Sequence, residues 1–432
     1  MANPIGKLRH KSYICLDNIE DYPYSPMVNI ILPGTETERR LVFYLAMEEY
    51  VAAHLDEILG DMDSREAFFH WQVSPTVIFG RNQVMEAEVN IAYCKEQGIK
   101  LFRRKSGGGC VYSDRGNIML SFISSNTDVE STFGHFLGQV VTQLRSIGLN
   151  AERSGRNDIL LDGRKISGNA FFLLPKSSIV HGTMLFDSDF SALERAITPS
   201  KAKISSKGVE SMRQHVTNLR PVLLASEDEK VRELADIELY KAWLTDAFCK
   251  GESIVLSEEQ VAEIEKIEAS YLEPDFISGK KHDYMLSREG KCKAGFVKLE
   301  LEMDGGVIRS CMLSGDYFSL KDGLCEKLDA LLRGAEDNKE ALRERLGGLD
   351  LSEYVRDLGL DELLDALYPG QADALPARLE PSIPPGHKHT NNNGHKHTNN
   401  NGRNHTNNNG QKPQTTTDRN TQTTIDRKTH KQ

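Results

Sequence analysis

Residues 103–117 read Arg-Arg-Lys-Ser-Gly-Gly-Gly-Cys-Val-Tyr-Ser-Asp-Arg-Gly-Asn and run into Ile118-Met119-Leu120-Ser121-Phe122. Three consecutive glycines, Gly107, Gly108 and Gly109, admit positive φ and let backbone N–H groups lie close against a bulky neighbour. Arg103, Arg104 and Lys105 come directly before them, which makes that neighbour anionic, most simply a nucleotide phosphate. The same run also fits a plain turn between two strands. Both readings demand a strand on each side, and Ile99–Arg103 and Ile118–Ile123 supply them.

The chain has 432 residues, enough for two or more cored domains. A formal net charge of -10 argues against non-specific wrapping of nucleic acid, although Arg103–Lys105 is a local basic site. No apolar run approaches the ~18 residues of a membrane span. Lys7, Arg9 and Lys11 are followed by no apolar segment of a secretory signal, and Asp17, Glu20 and Asp21 arrive early for a mitochondrial presequence. A cytoplasmic protein without nucleic-acid or membrane partners is expected. Seven cysteines, scattered and without a C-x-x-C pair, read as reduced thiols.

Residues 1–27 form an irregular lead-in. Val28–Leu32 reads as a strand, and Val42–Leu59 as an amphipathic helix with Leu45, Val51, Leu55 and Ile58 on one face and Glu48 and Glu49 on the other. Phe68–Val73 and Thr76–Gly80 read as strands, Asn90–Gln97 and Phe133–Ile147 as helices. Asp158–Leu161, Asp162-Gly163 and Arg164–Ser167 form a hairpin signature that places Lys165 two residues past a tight turn. Phe171–Leu174 and His181–Phe186 continue as strands, and Glu229–Lys250 as an amphipathic helix. The segment 199–213 carries Lys201, Lys203, Lys207 and Arg213 among small residues. A first domain is expected over 28–255 and a smaller α+β domain over 258–370, with helices at Gly323–Leu332, Asn338–Leu346 and Leu351–Leu367. From Pro376 to 432 the chain holds short repeats, among them two identical octapeptides His-Lys-His-Thr-Asn-Asn-Asn-Gly, with almost nothing apolar to bury. A disordered low-complexity tail is expected there.

Four pieces carry the chemistry: the glycine run, Gly155-Arg156-Asn157-Asp158, Arg164-Lys165-Ile166-Ser167-Gly168, and His181-Gly182-Thr183. Their order and spacing resemble the lipoate–protein ligase family, within the biotin/lipoyl ligase group. The resemblance runs from about Phe43 to Leu219. It includes Leu45-Ala46-Met47-Glu48-Glu49-Tyr50, Pro75-Thr76-Val77-Ile78-Phe79-Gly80-Arg81-Asn82-Gln83 and Ser206-Lys207-Gly208-Val209-Glu210-Ser211. Residues 258–370 are similar, more loosely, to the family's C-terminal domain. The resemblance implies an α+β fold, with a class II synthetase-like catalytic domain built on a mixed β-sheet with helices.

It also implies a two-step, ATP-dependent reaction: lipoate is activated to lipoyl-AMP, and the lipoyl group then passes to a lysine of a lipoyl domain. Acceptors in this family are E2 subunits of 2-oxoacid dehydrogenases and the glycine cleavage H protein. Lys165 matches the lysine that contacts both lipoate and phosphate. Arg104 and Gly109, Cys110, Val111 and Tyr112 match the ATP-binding stretch. Arg103, Ser106, Gly107, Gly108, Asn117, Asn157, His181 and Gly80 match positions around lipoate or the adenylate. Asp158 is placed to hold Mg²⁺ or to orient Lys165, with Mg²⁺ carried largely by the ATP phosphates. The segment 199–213 matches an adenylate-covering loop and, being basic, offers a surface for an acidic lipoyl domain.

Lys105 and Cys110 depart from the family, which often has a small polar residue and alanine there. Cys110 raises the alternative of an octanoyl or lipoyl transferase acting through a thioester. Octanoyltransferases of this fold carry their cysteine elsewhere, near the segment equivalent to Gly155–Asp158. A non-catalytic lipoyl-domain binder is the alternative from another class. No GxxxxGK[ST] run and no Gly-Arg-Gly-Arg loop occurs, which excludes a P-loop ATPase and argues against a biotin ligase.

Overall fold

A computed structural model of the chain describes residues 26–34, 38–155, 157–197, 215–279, 284 and 286–370. All of them lie within one compact unit, Met1–Leu375. The expected covering loop 199–213, most of the lead-in and the expected tail from Pro376 fall outside the described residues.

In chain order the strands are β1 (Val28–Ile31), β2 (Glu66–Trp71), β3 (Thr76–Phe79), β4 (Lys100–Arg103), β5 (Val111–Ser113), β6 (Asn117–Ser124), β7 (Ala151–Ser154), β8 (Asp158–Leu161), β9 (Arg164–Leu174), β10 (Ser177–Leu185), β11 (Ser253–Val255), β12 (Leu286–Cys292), β13 (Gly295–Asp304) and β14 (Val307–Gly315). Eight of them form one sheet in the order β11-β1-β2-β6-β10-β9-β8-β7. β1 runs parallel to β11 and β2, and the remaining pairs are antiparallel. β4-β3-β5 make a small mixed sheet, and β12-β13-β14 an antiparallel one.

β6 shows why helices cover both faces of the large sheet. All eight of its residues are buried, and successive side chains point to opposite faces. Ile118, Leu120 and Phe122 join a core with Phe133, Phe136 and Val140 of the helix Val129–Ser146 and Tyr240, Leu244 and Phe248 of the helix Ile237–Cys249. Met119 and Ile123 join the opposite core with Phe43, Leu45 and Met47 of the helix Leu41–Ala53 and Val261 and Ile264 of the helix Glu258–Leu272. The small antiparallel sheet has its own core, built from Leu299, Leu313, Leu328, Leu342 and Leu364.

Four local expectations change. The helix expected over 42–59 is two helices, Leu41–Ala53 and Leu55–Leu59, broken at His54. Its first part is buried on nearly every side, Glu48 included, because the sheet lies on one flank and the helix Glu258–Leu272 on the other. The helix expected over 229–250 breaks at Asp236, whose carboxylate accepts from the backbone N–H of Glu238 and Leu239 and so starts a second helix. The helix expected over 351–367 keeps only Leu360–Leu367 and a short turn at Leu351–Glu353, with Asp357 at positive φ between them. β11 and β12 were not apparent in the sequence. β12 alternates half-buried and exposed residues with charges among them, so its apolar signal is weak.

Among the described residues no helix is long and apolar enough to cross a membrane. His70, half-buried on β2 near Lys241, has its pKa pushed down to about 4 by burial first and the Lys241 charge second. The folded protein therefore holds it neutral, whereas the unfolded chain protonates it below its ordinary value of 6.5. Stability contributed here is present above pH ~6.5 and is lost as pH falls towards ~4. His70→Leu is expected to flatten the fall of the melting temperature across that window.

Candidate active site

β4 ends at Arg103 and delivers the glycine run, which is held by Arg104 in front of it. Arg104 is buried, and its guanidinium donates to the carbonyls of Gly107 (2.7 and 3.1 Å), Gly109 (2.7 Å) and Ile78 (3.3 Å). Burial lowers its pKa to about 10, which leaves it charged at neutral pH. Arg103 donates to the carbonyls of Arg81 (2.9 Å) and Gln83 (2.7 Å) on one side and Phe276 (2.9 Å) on the other, and lies 4.7 Å over the Phe79 ring. Both side chains therefore brace loops through backbone carbonyls.

Two glycines are required by close approach and a third by its backbone conformation. A Cβ on Gly80 would lie 2.2 Å from the Gly108 carbonyl oxygen, and one on Gly107 would lie 2.4 Å from that of Tyr317. Gly108 has φ +89° and donates its N–H to the Tyr317 carbonyl at 3.4 Å. Asn82 ties the same segment down, donating to Tyr317 O (3.3 Å) and Ser319 Oγ (3.0 Å). The space in front of Gly109 is open. Tyr317 and Phe318 thus lie directly on the glycine run, a contact across more than 200 residues of sequence that no local pattern signals.

Ser106 begins a buried relay. Its Oγ lies 2.8 Å from His181 Nε2, whose Nδ1 lies 2.7 Å from Glu48 Oε2. Glu48 Oε1 accepts from Ser121 Oγ (2.5 Å), which accepts from Trp71 Nε1 (2.9 Å). Ser106 and Glu48 thus bracket the His181 ring, one at each nitrogen. Glu48 is the residue that sequence reading placed on the wrong face. A helix with so few polar positions between Leu41 and Met47 was the available signal that all its sides are covered. A cavity of about 10 Å³, room for roughly one water, lies beside Ser106 and His181 between the apolar Leu45, Phe172 and Ile179 and the polar Glu48, Glu49, Arg104, Lys105 and Tyr271.

Lys165 belongs to a second cluster. Asp162 and Gly163 have φ +49° and +75°, the left-handed pair of a two-residue hairpin turn, and they join β8 to β9. Lys165 Nζ lies 2.7 Å from Asp158 Oδ1. Asn157 is clasped to β9: its Nδ2 donates to Asn169 O (2.8 Å), and its carbonyl accepts from Asn169 N (2.9 Å) and Nδ2 (3.1 Å). β10 joins this cluster to the relay, because Gly182 sits opposite Asn169 and His181 opposite Ala170. Asn117 lies elsewhere on β6, where its Oδ1 accepts from Met184 N at 3.1 Å and locks β6 to β10.

The chain matches two family patterns in order: the lipoyl protein ligase A/B catalytic domain over residues 41–237, and the bacterial lipoate protein ligase C-terminus over 281–367. It is 33% identical over 328 residues to a lipoate-protein ligase of Bacillus subtilis, covering 75% of this chain and 96% of that one. A lipoate–protein ligase of Staphylococcus aureus is also 33% identical, over 74% of this chain and 94% of its own length. The chain belongs to the lipoate–protein ligase family. The fold agrees: a Plasmodium falciparum protein crystallised with lipoate superposes with a TM-score of 0.58 at 22% identity, over 79% of this chain and 97% of that one.

The two departures from the ligase family both have local partners. Lys105 pairs with Glu49 Oε2 at 2.8 Å and lies 4.6 Å over the ring of Tyr271, whose hydroxyl also bonds Glu49. Cys110 is half-buried against the cluster of Val77, Phe79 and Tyr112, a packing position for a small side chain.

Proposed function

We propose that this ligase joins lipoate to lipoyl-domain lysines in two steps. The lipoate carboxylate attacks the α-phosphate of ATP, forming lipoyl-AMP and releasing pyrophosphate. The ε-amine of the acceptor lysine then attacks the mixed anhydride, forming an amide and losing a proton as AMP leaves. The observation that carries this reading is the pairing of the two ligase patterns with a cation, Lys165, fixed on a strand after the triple-glycine loop.

Lys165 holds the lipoate carboxylate beside the α-phosphate and stabilises the charge that gathers there. The open backbone face at Gly109, continuing through Cys110, Val111 and Tyr112, faces the nucleotide. Arg104 serves it from behind by holding the carbonyls of Gly107 and Gly109. Gly80, Gly107 and Gly108 allow the loop to pack, and Arg103 braces the neighbouring turn at residues 81–83. The lipoyl chain runs beside Gly80 and the buried apolar Val77, Ile78 and Phe79 of β3, since such a chain needs a mostly apolar slot with few polar anchors. Asn157 and Asp158 flank the adenylate through Lys165.

For Mg²⁺ the donor set does not make a site of its own. Asp158 offers one carboxylate, already engaged by Lys165, and no group of three metal-ligating side chains occurs among the described residues. E2-type lipoyl domains and the H protein are the proposed acceptors. The intact mass of such an acceptor, incubated with enzyme, ATP and lipoate, is expected to rise by one lipoyl group. No rise with ATP and lipoate present contradicts the reading.

A further inference from the structure

Lys165 reaches Asp158 because of two features beside it. The β8–β9 ladder pairs Asp158 with Gly168 and Ile159 with Ser167, then shifts so that Leu160 faces Lys165. Ile166 is therefore an extra residue, a β-bulge. In an unbulged ladder Lys165 would sit opposite Leu161, on the face away from Asp158. The shift puts it opposite Leu160, on the same face as Asp158. Between the two groups lies Gly168. A Cβ on Gly168 would stand 2.7 Å from Lys165 Nζ, 2.9 Å from Cε and 3.7 Å from Asp158 Oδ1. The lysine stem thus runs over a glycine that has no side chain to block it.

We propose that Gly168, together with the bulge at Ile166, is a positioning element for the Lys165 ammonium, and that its missing side chain sets where the reacting cation sits. The φ of Gly168 lies outside the left-handed region, so the backbone does not require glycine. Its N–H donates to Thr183 Oγ1 at 3.1 Å, a bond that any residue can make. What glycine supplies is space, and the atoms filling that space are the flexible end of Lys165. An alanine there displaces the ammonium from Asp158 while β9 keeps its ladder. The inference rests on the ligase reading for its consequence and on the geometry alone for its premise.

The test uses the full chain with Gly168→Ala. Without substrates, the rate at which acetic anhydride labels the Lys165 ε-amine, read by mass spectrometry against other lysines as a function of pH, reports the amine's surroundings. Labelling of Lys165 is expected to change several-fold, with the melting temperature unchanged or raised, since alanine is better tolerated than glycine within a strand. The kcat of lipoate-dependent ATP–pyrophosphate exchange is expected to fall about 100-fold, with a smaller change in KM for ATP. Wild-type labelling in the variant overturns the positioning role, and so does altered labelling with wild-type kcat. Absence of exchange in the wild type contradicts the ligase reading instead, and the labelling result still decides the geometry. Asp158→Asn adds no bulk and is expected to change Lys165 labelling in the same direction, so a misfolded Gly168→Ala leaves the claim open to refutation.

Discussion

Lys165→Ala is expected to lower lipoyl-AMP formation by about 100- to 1000-fold, the scale of removing one preorganised donor from a developing anion. Loss of Lys165 separates catalysis from folding. Lys165 and Asp158 are each about one-third exposed, with side-chain accessibilities of 35% and 33%, so the pair lies in the regime where ion pairs contribute little stability. Its strand is held independently by the β9–β10 ladder and by Thr217 N–H on the Lys165 carbonyl. The variant is therefore expected to melt like the wild type while losing activity. Lys165→Arg is not expected to restore it, because a planar fork cannot replace a point charge threaded over Gly168. Single-turnover formation of lipoyl-AMP measures the effect directly. A variant that melts normally and forms adenylate at the wild-type rate would remove Lys165 from the mechanism.

Arg104→Met carries the largest expected effect on stability. The change keeps most of the side-chain volume but strips donors from the buried carbonyls of Gly107 and Ile78 and the half-buried one of Gly109. Each orphaned carbonyl costs about 1–3 kcal/mol, partly offset because a buried cation no longer has to be desolvated, giving a net loss of about 2–4 kcal/mol. The expected result in urea is a lower unfolding midpoint with an unchanged slope. Adenylate formation is expected to fail even in the folded protein, since the loop loses the clamp that shapes it. Arg104→Lys recovers little, because one ammonium cannot span three carbonyls. An unchanged midpoint with intact activity would mean that the loop holds its own shape.

What the sequence made legible follows from how local each signal is. The Asp162-Gly163 hairpin, the strand before the glycine run, and the helices starting at Asn90 and Asn338 were readable because each depends on neighbours a few residues apart. Glu48 was misplaced because helical periodicity sees one face of a helix, whereas this helix is enclosed by a sheet and a second helix. Arg103 and Arg104 read as phosphate ligands, since arginines before glycines usually face an anion. Their partners within the chain are carbonyls of residues 78–109 and 276–278, contacts set by tertiary burial that composition does not signal. The seat of Tyr317 and Phe318 on the glycine run and the bulge that turns Lys165 towards Asp158 depend on long-range packing and register, which carry no sequence signature.

Activation of lipoate by ATP is the step on which the proposed function stands. It is measured by exchange of labelled pyrophosphate into ATP, run on the wild-type protein without any acceptor. Exchange is expected to appear only when lipoate is added. Lipoylation of an acceptor without such exchange, or exchange indifferent to lipoate, would contradict the proposed function.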